Sequence, residues 1–478
     1  MFSLFRLQTI DRYLLLALLL LAFRLGLFFS TLPVVVPEIN WWLDGESMLG
    51  GGLLYKDIWD DIPPIPALIY TFLAYLAPRS QVVSLFVGTL LTFFQAIFFN
   101  RILTRYGIVE EKSLMPAATW VLFSHLNYDF LFLNPVLLGT TFLLVVLRNI
   151  FIHIRFGLEE SKVYATGFWV GIASLCYLPF ALFIILPAIS FVLYTATRPR
   201  WYAVLGIGFV FPFLFAGFFF QFMGNLDGFV TQFLLSPFSV QKLGYVTPTY
   251  LISVFAIPFV FLVWAAMRVF AHRGFINYQL VCNVVMLFFG VVGLATYLFA
   301  TWHQPASFYI LLPLFSYFGA QWAYLVRKAV LRELIFLGLT GFLAISTYLP
   351  FLPLPYLGKQ LDGQGIIYRE PRFPLVVNKK VLVMGSQSTL YLRNRLATPY
   401  LNRRLASALL DDTLSYQANY ELYSTFRADM PDVIYDQDGS LRKLFERLPL
   451  LATYYEAAPE QPRTWFKKRV PDGEIGIK

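Results

Sequence analysis

The sequence predicts an all-α polytopic membrane protein. It would have about eleven transmembrane helices, interfacial helices in the first outer loop, and a small C-terminal extracytoplasmic α/β module. Three observations predict it. The 478 residues are 58% hydrophobic, 18% aromatic and only 14% charged, against about a quarter charged in soluble domains. The apolar residues gather into runs of the roughly 20 residues that a helix needs to cross hydrocarbon. The Lys and Arg residues between those runs are segregated to one side.

The apolar runs fall at roughly 12–33, 82–101, 114–131, 133–153, 162–178, 179–197, 202–222, 249–269, 277–300, 306–326 and 332–352. Pro179 divides the fifth from the sixth. The first is long and lacks a small-residue cleavage site behind it, which predicts an uncleaved anchor. The run 64–77, PIPALIYTFLAYLA, is too short to span and predicts a helix at or dipping into the interface. With the N-terminus cytoplasmic, fifteen Lys and Arg residues lie in inside segments. Only Lys56, Arg79 and Lys242 lie in outer loops before residue 359. This asymmetry orients the chain and accounts for much of its net charge of +9. It argues against nucleic acid as the partner of that charge. An odd number of spans puts the tail outside. The predicted domains are thus a transmembrane part, 1–356, with its first outer loop at 34–81, and an extracytoplasmic domain, 357–478.

The tail is polar from about residue 359. KKVLVMGSQSTLYL predicts a strand over 381–384, a turn at Gly385 and a helix start capped by Ser386 or Ser388. DVIYD (432–436) predicts a second strand and SLRKLFERL (440–448) an amphipathic helix. Gly385 is not part of a GxGxxG fingerprint, so a structural turn is the better reading there. Cys176 and Cys282 both fall inside apolar runs, and no disulfide framework is available.

The first outer loop is the chemically unusual segment. PEINWWLDGESMLGGGLLYKDIWDDIPPIP, residues 37–66, sets six carboxylates (Glu38, Asp44, Glu46, Asp57, Asp60 and Asp61) against the single base Lys56. Pro37 suits a first helical position, and Gly50-Gly51-Gly52 stops a helix. Between them the pattern predicts an interfacial helix, with Trp41 and Trp42 at headgroup depth. Glu38, Trp42 and Glu46 share one helix face. Glu38 lies nearest the first span, where burial would raise its carboxyl pKa and suit it as a base. Acids contribute little to topology, and the aromatics with the Pro63-Pro64 corner imply a fixed structure.

These residues resemble the GT-C superfamily of polyprenyl-phosphate-sugar glycosyltransferases, which includes protein O-mannosyltransferases and the lipid A aminoarabinose transferase. The match is Gly51-Gly52-Leu53-Leu54-Tyr55-Lys56-Asp57-Ile58-Trp59-Asp60, then Pro63-Pro64 and a membrane-dipping helix. In the family the catalytic acid is the Asp of an Asp-Glu pair about 18 residues before the Tyr. Here that pair reads Pro37-Glu38, so the resemblance implies Glu38 as base. Asp44 and Glu46, closer to Tyr55 than the usual spacing, remain alternatives. HLNYDFLFLNPVLLGTTFLL (125–144) is similar to the family's second loop. It places Asp129 as a second catalytic candidate, with His125 and Asn134 beside it. TWHQPASFYILLPLF (301–315) is similar to a late-span cluster and adds His303, Gln304 and Tyr309.

The resemblance implies transfer of a sugar from a polyprenyl-phosphate donor to a lipid, glycan or protein acceptor. It places the protein in a membrane, the bacterial inner membrane by this reading. Donor or phosphate contacts would come from Arg24, Asp44, Glu46, Tyr55, Asp57, Asp60, His125, Asn134, Lys242, His303, Gln304 and Tyr309. Arg24 is a charge inside the first span, a position that defaults to function; it could bind a phosphate or pair with a buried acid. No cofactor is required by the pattern. A divalent metal ion stays open, though no ligand spacing such as HExxH is present. The competing classes are a transporter or flippase of lipid-linked saccharide, and a polysaccharide ligase. The first calls for several deep charges and repeated halves; the second calls for a late outer loop rich in Arg and His. Neither feature is present.

Overall fold

The computed structural model describes residues 5, 7–28, 33–109, 112–157, 159–194, 198–238, 243–244, 246–348, 376–385, 388–397, 399–402, 405–406, 416–437, 439–458 and 464–469. Lys242, Ser386 and the expected domain boundary near 356 lie outside them. The chain forms two compact units, each discontinuous. One comprises Met1–Pro33, Ser80–Phe219 and Pro237–Ile367; the other comprises Val34–Arg79, Phe220–Ser236 and Tyr368–Lys478.

The first unit is helical. Its helices are α1 (Ile10–Phe28), α4 (Gln81–Arg105), α5 (Met115–Phe123), α6 (Pro135–Phe156), α7 (Glu160–Cys176), α8 (Ile185–Tyr194), α9 (Pro199–Phe222, whose last turn enters the second unit), α11 (Pro248–Ala271), α12 (Asn277–Phe299), α13 (Leu312–Leu325) and α14 (Ala329–Tyr348). Among the described residues, α4, α6, α9, α11, α12 and α14 are long and apolar enough to cross a membrane. Their starts follow local chemistry. Ser80, Asn134 and Thr247 accept a hydrogen bond from the first turn of α4, α6 and α11, and Pro135 and Pro248 open the last two.

Three expected spans are broken rather than continuous. The run 114–131 gives only the nine residues of α5 and, after a turn, a 3₁₀ turn at Tyr128–Leu131. Polar side chains explain the break. Ser124 bonds back to the Val121 carbonyl, while Asn127 and Asp129 bond to Tyr250 and to the Ala306 amide. The run 179–197 begins as a 3₁₀ helix, Leu178–Ile184, after Tyr177, and continues as α8. The run 306–326 likewise begins as a 3₁₀ helix, Pro305–Leu311, before α13.

The second unit contains α2 (Val36–Leu49), α3 (Pro64–Leu76), a single turn α10 (Leu226–Gly228) and most of the tail. The helix bounded by Pro37 and Gly50 is α2, and α3 is the short helix expected after Pro63-Pro64. They pack closely at Gly45, where an added Cβ would sit 2.6 Å from the Tyr70 carbonyl carbon and oxygen. The tail holds a five-stranded sheet. Its order is Arg395–Leu396, Lys380–Met384, Val433–Asp436, Trp465–Lys468, Tyr455–Ala457. The first three are parallel, with Val381 opposite Val433; the last two are antiparallel. The helices α15 (Tyr416–Ala428) and α16 (Ser440–Arg447) contribute Leu422, Phe426, Leu441 and Leu444 to a core with Leu382, Met384 and Ile434. Trp59 packs against that core.

Candidate active site

In the second unit the first outer loop is bound to the tail by backbone and side chain. The Trp59 N–H donates to the Pro399 carbonyl at 2.7 Å, and the Asn402 N–H donates to the Trp59 carbonyl at 3.0 Å. This places Asn402 beside the acids that follow Trp59. Its Nδ2 donates to Asp60 Oδ1 at 2.9 Å and Asp61 Oδ1 at 3.2 Å. Ser236 Oγ donates to Asp61 Oδ2 at 3.1 Å. The Asp44 carboxyl of α2 faces Asp60 and Asp61.

Asp44 and Asp60 are 0% and 3% exposed. Burial raises the Asp60 pKa to about 7, with help from the charge of Asp61. Burial raises Asp44 well above the carboxylate range, and the charges of Asp60 and Asp61 add to the effect. Both carboxyls therefore hold a proton more tightly than an ordinary aspartate does.

Tyr55 anchors the loop. Its backbone lies in the left-handed region at φ 66°, a strained position for a bulky residue. Its hydroxyl donates to the Ile62 carbonyl at 2.6 Å, its carbonyl accepts from Gln232 Nε2 at 2.7 Å, and Phe220, Phe229 and Phe233 surround its ring. Asp57 caps the same turn, accepting the Leu53 N–H at 2.7 Å. Glu46 is held by Arg79 in a two-pronged ion pair, both contacts at 2.6 Å. Arg79 also donates to the carbonyls of Tyr391, Leu392 and Asn394. Glu38, in the first turn of α2, is 1% exposed. An open cleft of about 1270 Å³ in this unit is lined by Glu46, Lys56, Asp57, Arg79, Arg393 and Arg395, among others.

The first unit brings together the remaining candidates. Asp129 accepts the Ala306 N–H at 2.7 Å through Oδ2, at the start of the 3₁₀ helix that follows Gln304. Its Oδ1 is buried without a hydrogen-bond partner among the described residues. Asn127 donates to the Tyr250 hydroxyl at 3.1 Å. Arg24 donates to His125 Nε2 at 3.3 Å, Thr89 Oγ1 at 2.9 Å and the Leu131 carbonyl at 3.1 Å; its Nη2 has no partner among the described residues. His125 Nδ1 donates to the Val121 carbonyl, so the ring is the neutral tautomer that accepts from Arg24. Tyr309 donates to Gln95 at 2.8 Å. His303 lies tilted against Tyr297, with centroids 4.6 Å apart, and Gln304 is buried. Asn134 caps α6 through the Leu137 N–H, a structural duty. Among the described residues no three His, Cys, Asp or Glu side chains converge as a metal site.

Asn402, Ser236, Arg79 and Tyr250 hold these groups and were not singled out from the sequence as site residues. The polar positions of Asn402 and Ser236 carry no local motif. Arg79 had a readable signal, as one of only three bases in the outer loops before the tail.

No family profile and no curated protein matches the sequence. The structure does have similar solved structures. It aligns over 98% of its length with 98% of ArnT from Cupriavidus metallidurans bound to undecaprenyl phosphate, at 13% identity and a TM-score of 0.53. It also aligns over 98% of its length with 74% of the archaeal oligosaccharyltransferase AglB from Archaeoglobus fulgidus in complex with an inhibitory peptide and a dolichol-phosphate, at 11% identity and a TM-score of 0.49. The chain shares its fold with ArnT over nearly its whole length.

Proposed function

We propose that the protein is an inverting glycosyltransferase. It takes a sugar from a polyprenyl-phosphate donor and passes it to an acceptor hydroxyl at the outer face of the membrane. The supporting observation is the burial of Glu38, Asp44 and Asp60 at 1%, 0% and 3% exposure in a segment outside the spans. Ordinary loop carboxylates stay solvated, because burying an ionised one is costly.

The base takes the acceptor proton as the hydroxyl oxygen bonds to the anomeric carbon. The bond from that carbon to the phosphate oxygen breaks, and polyprenyl phosphate leaves with the electron pair. One carboxylate suffices because phosphate needs no protonation to leave. Of the α2 acids, Glu46 is engaged by Arg79, and burial raises the pKa of Asp44 well above the carboxylate range. The burial of Glu38 in the first turn of α2 supports it as the base. Among the described residues, Arg24 Nη2 and Asp129 Oδ1 have no hydrogen-bond partner, which supports a ligand-binding role for each.

The test is transfer from radiolabelled polyprenyl-phosphate sugars by purified wild type, Glu38→Gln and Asp44→Asn. We expect Glu38→Gln to lose at least ~100-fold in kcat, as for a removed general base, with unfolding unchanged. Full activity in Glu38→Gln beside an inactive Asp44→Asn would move the base to Asp44. Binding or translocation of lipid-linked sugar without transfer by wild type would replace the enzyme with a transporter.

A further inference from the structure

The end of the first unit that carries Arg268, His272, Arg327 and Lys328 holds a second cavity. Its volume is about 510 Å³, within the range of small-ligand pockets. It lies between the C-terminal end of α11 and the α13–α14 turn. Those four residues line it together with Trp264 and Trp322, and no Asp or Glu does. The two indoles touch, with ring centroids 5.1 Å apart. Trp322 is 0% exposed, and its Nε1–H is buried without a hydrogen-bond partner among the described residues. A buried unpaired donor costs free energy, which an acceptor bound there would recover.

Trp264 also lines a second, apolar hollow. Phe259, Val260, Val263 and Met267 complete it along the same face of α11. It runs toward the middle of the helix for about 12 Å, given the rise per residue. The cationic pocket and the apolar groove thus meet at Trp264, which lines both. That is the outline of a phospholipid, with a head and the start of an acyl chain. Free phosphate would fill only the first part.

This end lies about 27 Å along α11 from Tyr250 by helical rise, and Tyr250 bonds Asn127 in the Asp129 region. The Lys and Arg distribution assigns this face to the cytoplasm, where leaflets are anionic and basic pockets between helices hold lipid headgroups. We infer that the pocket between α11 and the α13–α14 turn binds an anionic phospholipid, phosphate against Arg268, Arg327 and Lys328 and acyl chain along α11. This inference does not rest on the glycosyl-transfer reading.

The experiment uses the full chain in nanodiscs made from equal parts phosphatidylglycerol and phosphatidylcholine. Lipid retained after extraction into detergent is counted by native mass spectrometry. Wild type is compared with the triple variant Arg268→Gln/Arg327→Gln/Lys328→Gln and with Val263→Trp, which fills the groove and keeps every cation. Wild type should retain phosphatidylglycerol preferentially. The triple variant should lose that preference about tenfold, and Val263→Trp should lower retention with thermal unfolding unchanged. Equal retention of both lipids by wild type overturns the inference. So does an unchanged preference in the triple variant. Displacement of the lipid by inorganic phosphate, with Val263→Trp behaving as wild type, assigns the pocket to a free anion and overturns the lipid.

Discussion

Burial of Asp60 has a thermodynamic consequence that can be measured apart from activity. Its pKa in the folded protein is raised to about 7, first by burial and then by Asp61, against an ordinary aspartate near 4. The folded state therefore binds the proton more tightly than the unfolded chain does. The stability linked to it is fully present below about pH 4 and is lost as pH rises through about 7. Asp44, also raised by burial and by Asp60, acts in the same direction. Thermal unfolding in detergent should thus show wild type losing stability between pH 5 and 8. Asp60→Asn should flatten that slope, because it removes one charge and leaves a carbonyl to accept from Asn402. An equally steep slope in the variant would show that the group is not the source. Arg79 offers a contrast, because its fork serves Glu46 and three backbone carbonyls at once. Arg79→Ala should cost about 2–4 kcal/mol and Glu46→Gln clearly less, since only the first strands several acceptors.

At the scale of elements, Gly45 joins α2 to α3. An added Cβ would lie 2.6 Å from the Tyr70 carbonyl, and backbone yields less readily than a side-chain tip. Gly45→Ala should therefore destabilise by about 2–4 kcal/mol even though Ala is the better helix former. Gly26→Ala, on a face of α1 with nothing within 4 Å, should be neutral or slightly stabilising. Similar losses in the two variants would mean that helix contact is not what Gly45 provides. The same helices show what a sequence can disclose. Residues bounded by Pro37 and Gly50 are readable as a helix because its start and stop are local chemistry. The strands 380–384 and 433–436 are readable from short β-branched runs. The break after α5 is not, because hydropathy averages over Asn127 and Asp129. Their partners, Tyr250 and Ala306, lie more than a hundred residues away. The acid cluster is half readable for the same reason. Asp44, Asp60 and Asp61 stand close together in sequence, but Asn402 is 342 residues beyond Asp60.

At the scale of the whole molecule, the broken helices make topology a question for charge rather than for counting. Six helices among the described residues satisfy length and composition. The segments at 115–131, 178–194 and 305–325 reach comparable chain length only by joining a helix to a 3₁₀ segment. Parity decides where the tail lies, and one miscounted crossing would invert it. The Lys and Arg asymmetry supports a count of eleven, because the bases fall on one side only if the loops alternate as the eleven runs require. An N-terminus inside and a tail outside is the expectation that follows from eleven crossings, and the tail is the element to probe. Ser424 and Ser161 are both exposed, one in α15 and one at the start of α7. Cys176 and Cys282 are buried, so single added cysteines can be read against a low background. Ser424→Cys should react with a membrane-impermeant maleimide in intact spheroplasts, and Ser161→Cys only after permeabilisation. The reverse pattern would invert the chain and move the first outer loop to the face where soluble nucleotide sugars are present. The case for a lipid-phosphate donor would then fail, because that donor is required only where nucleotide sugars are absent.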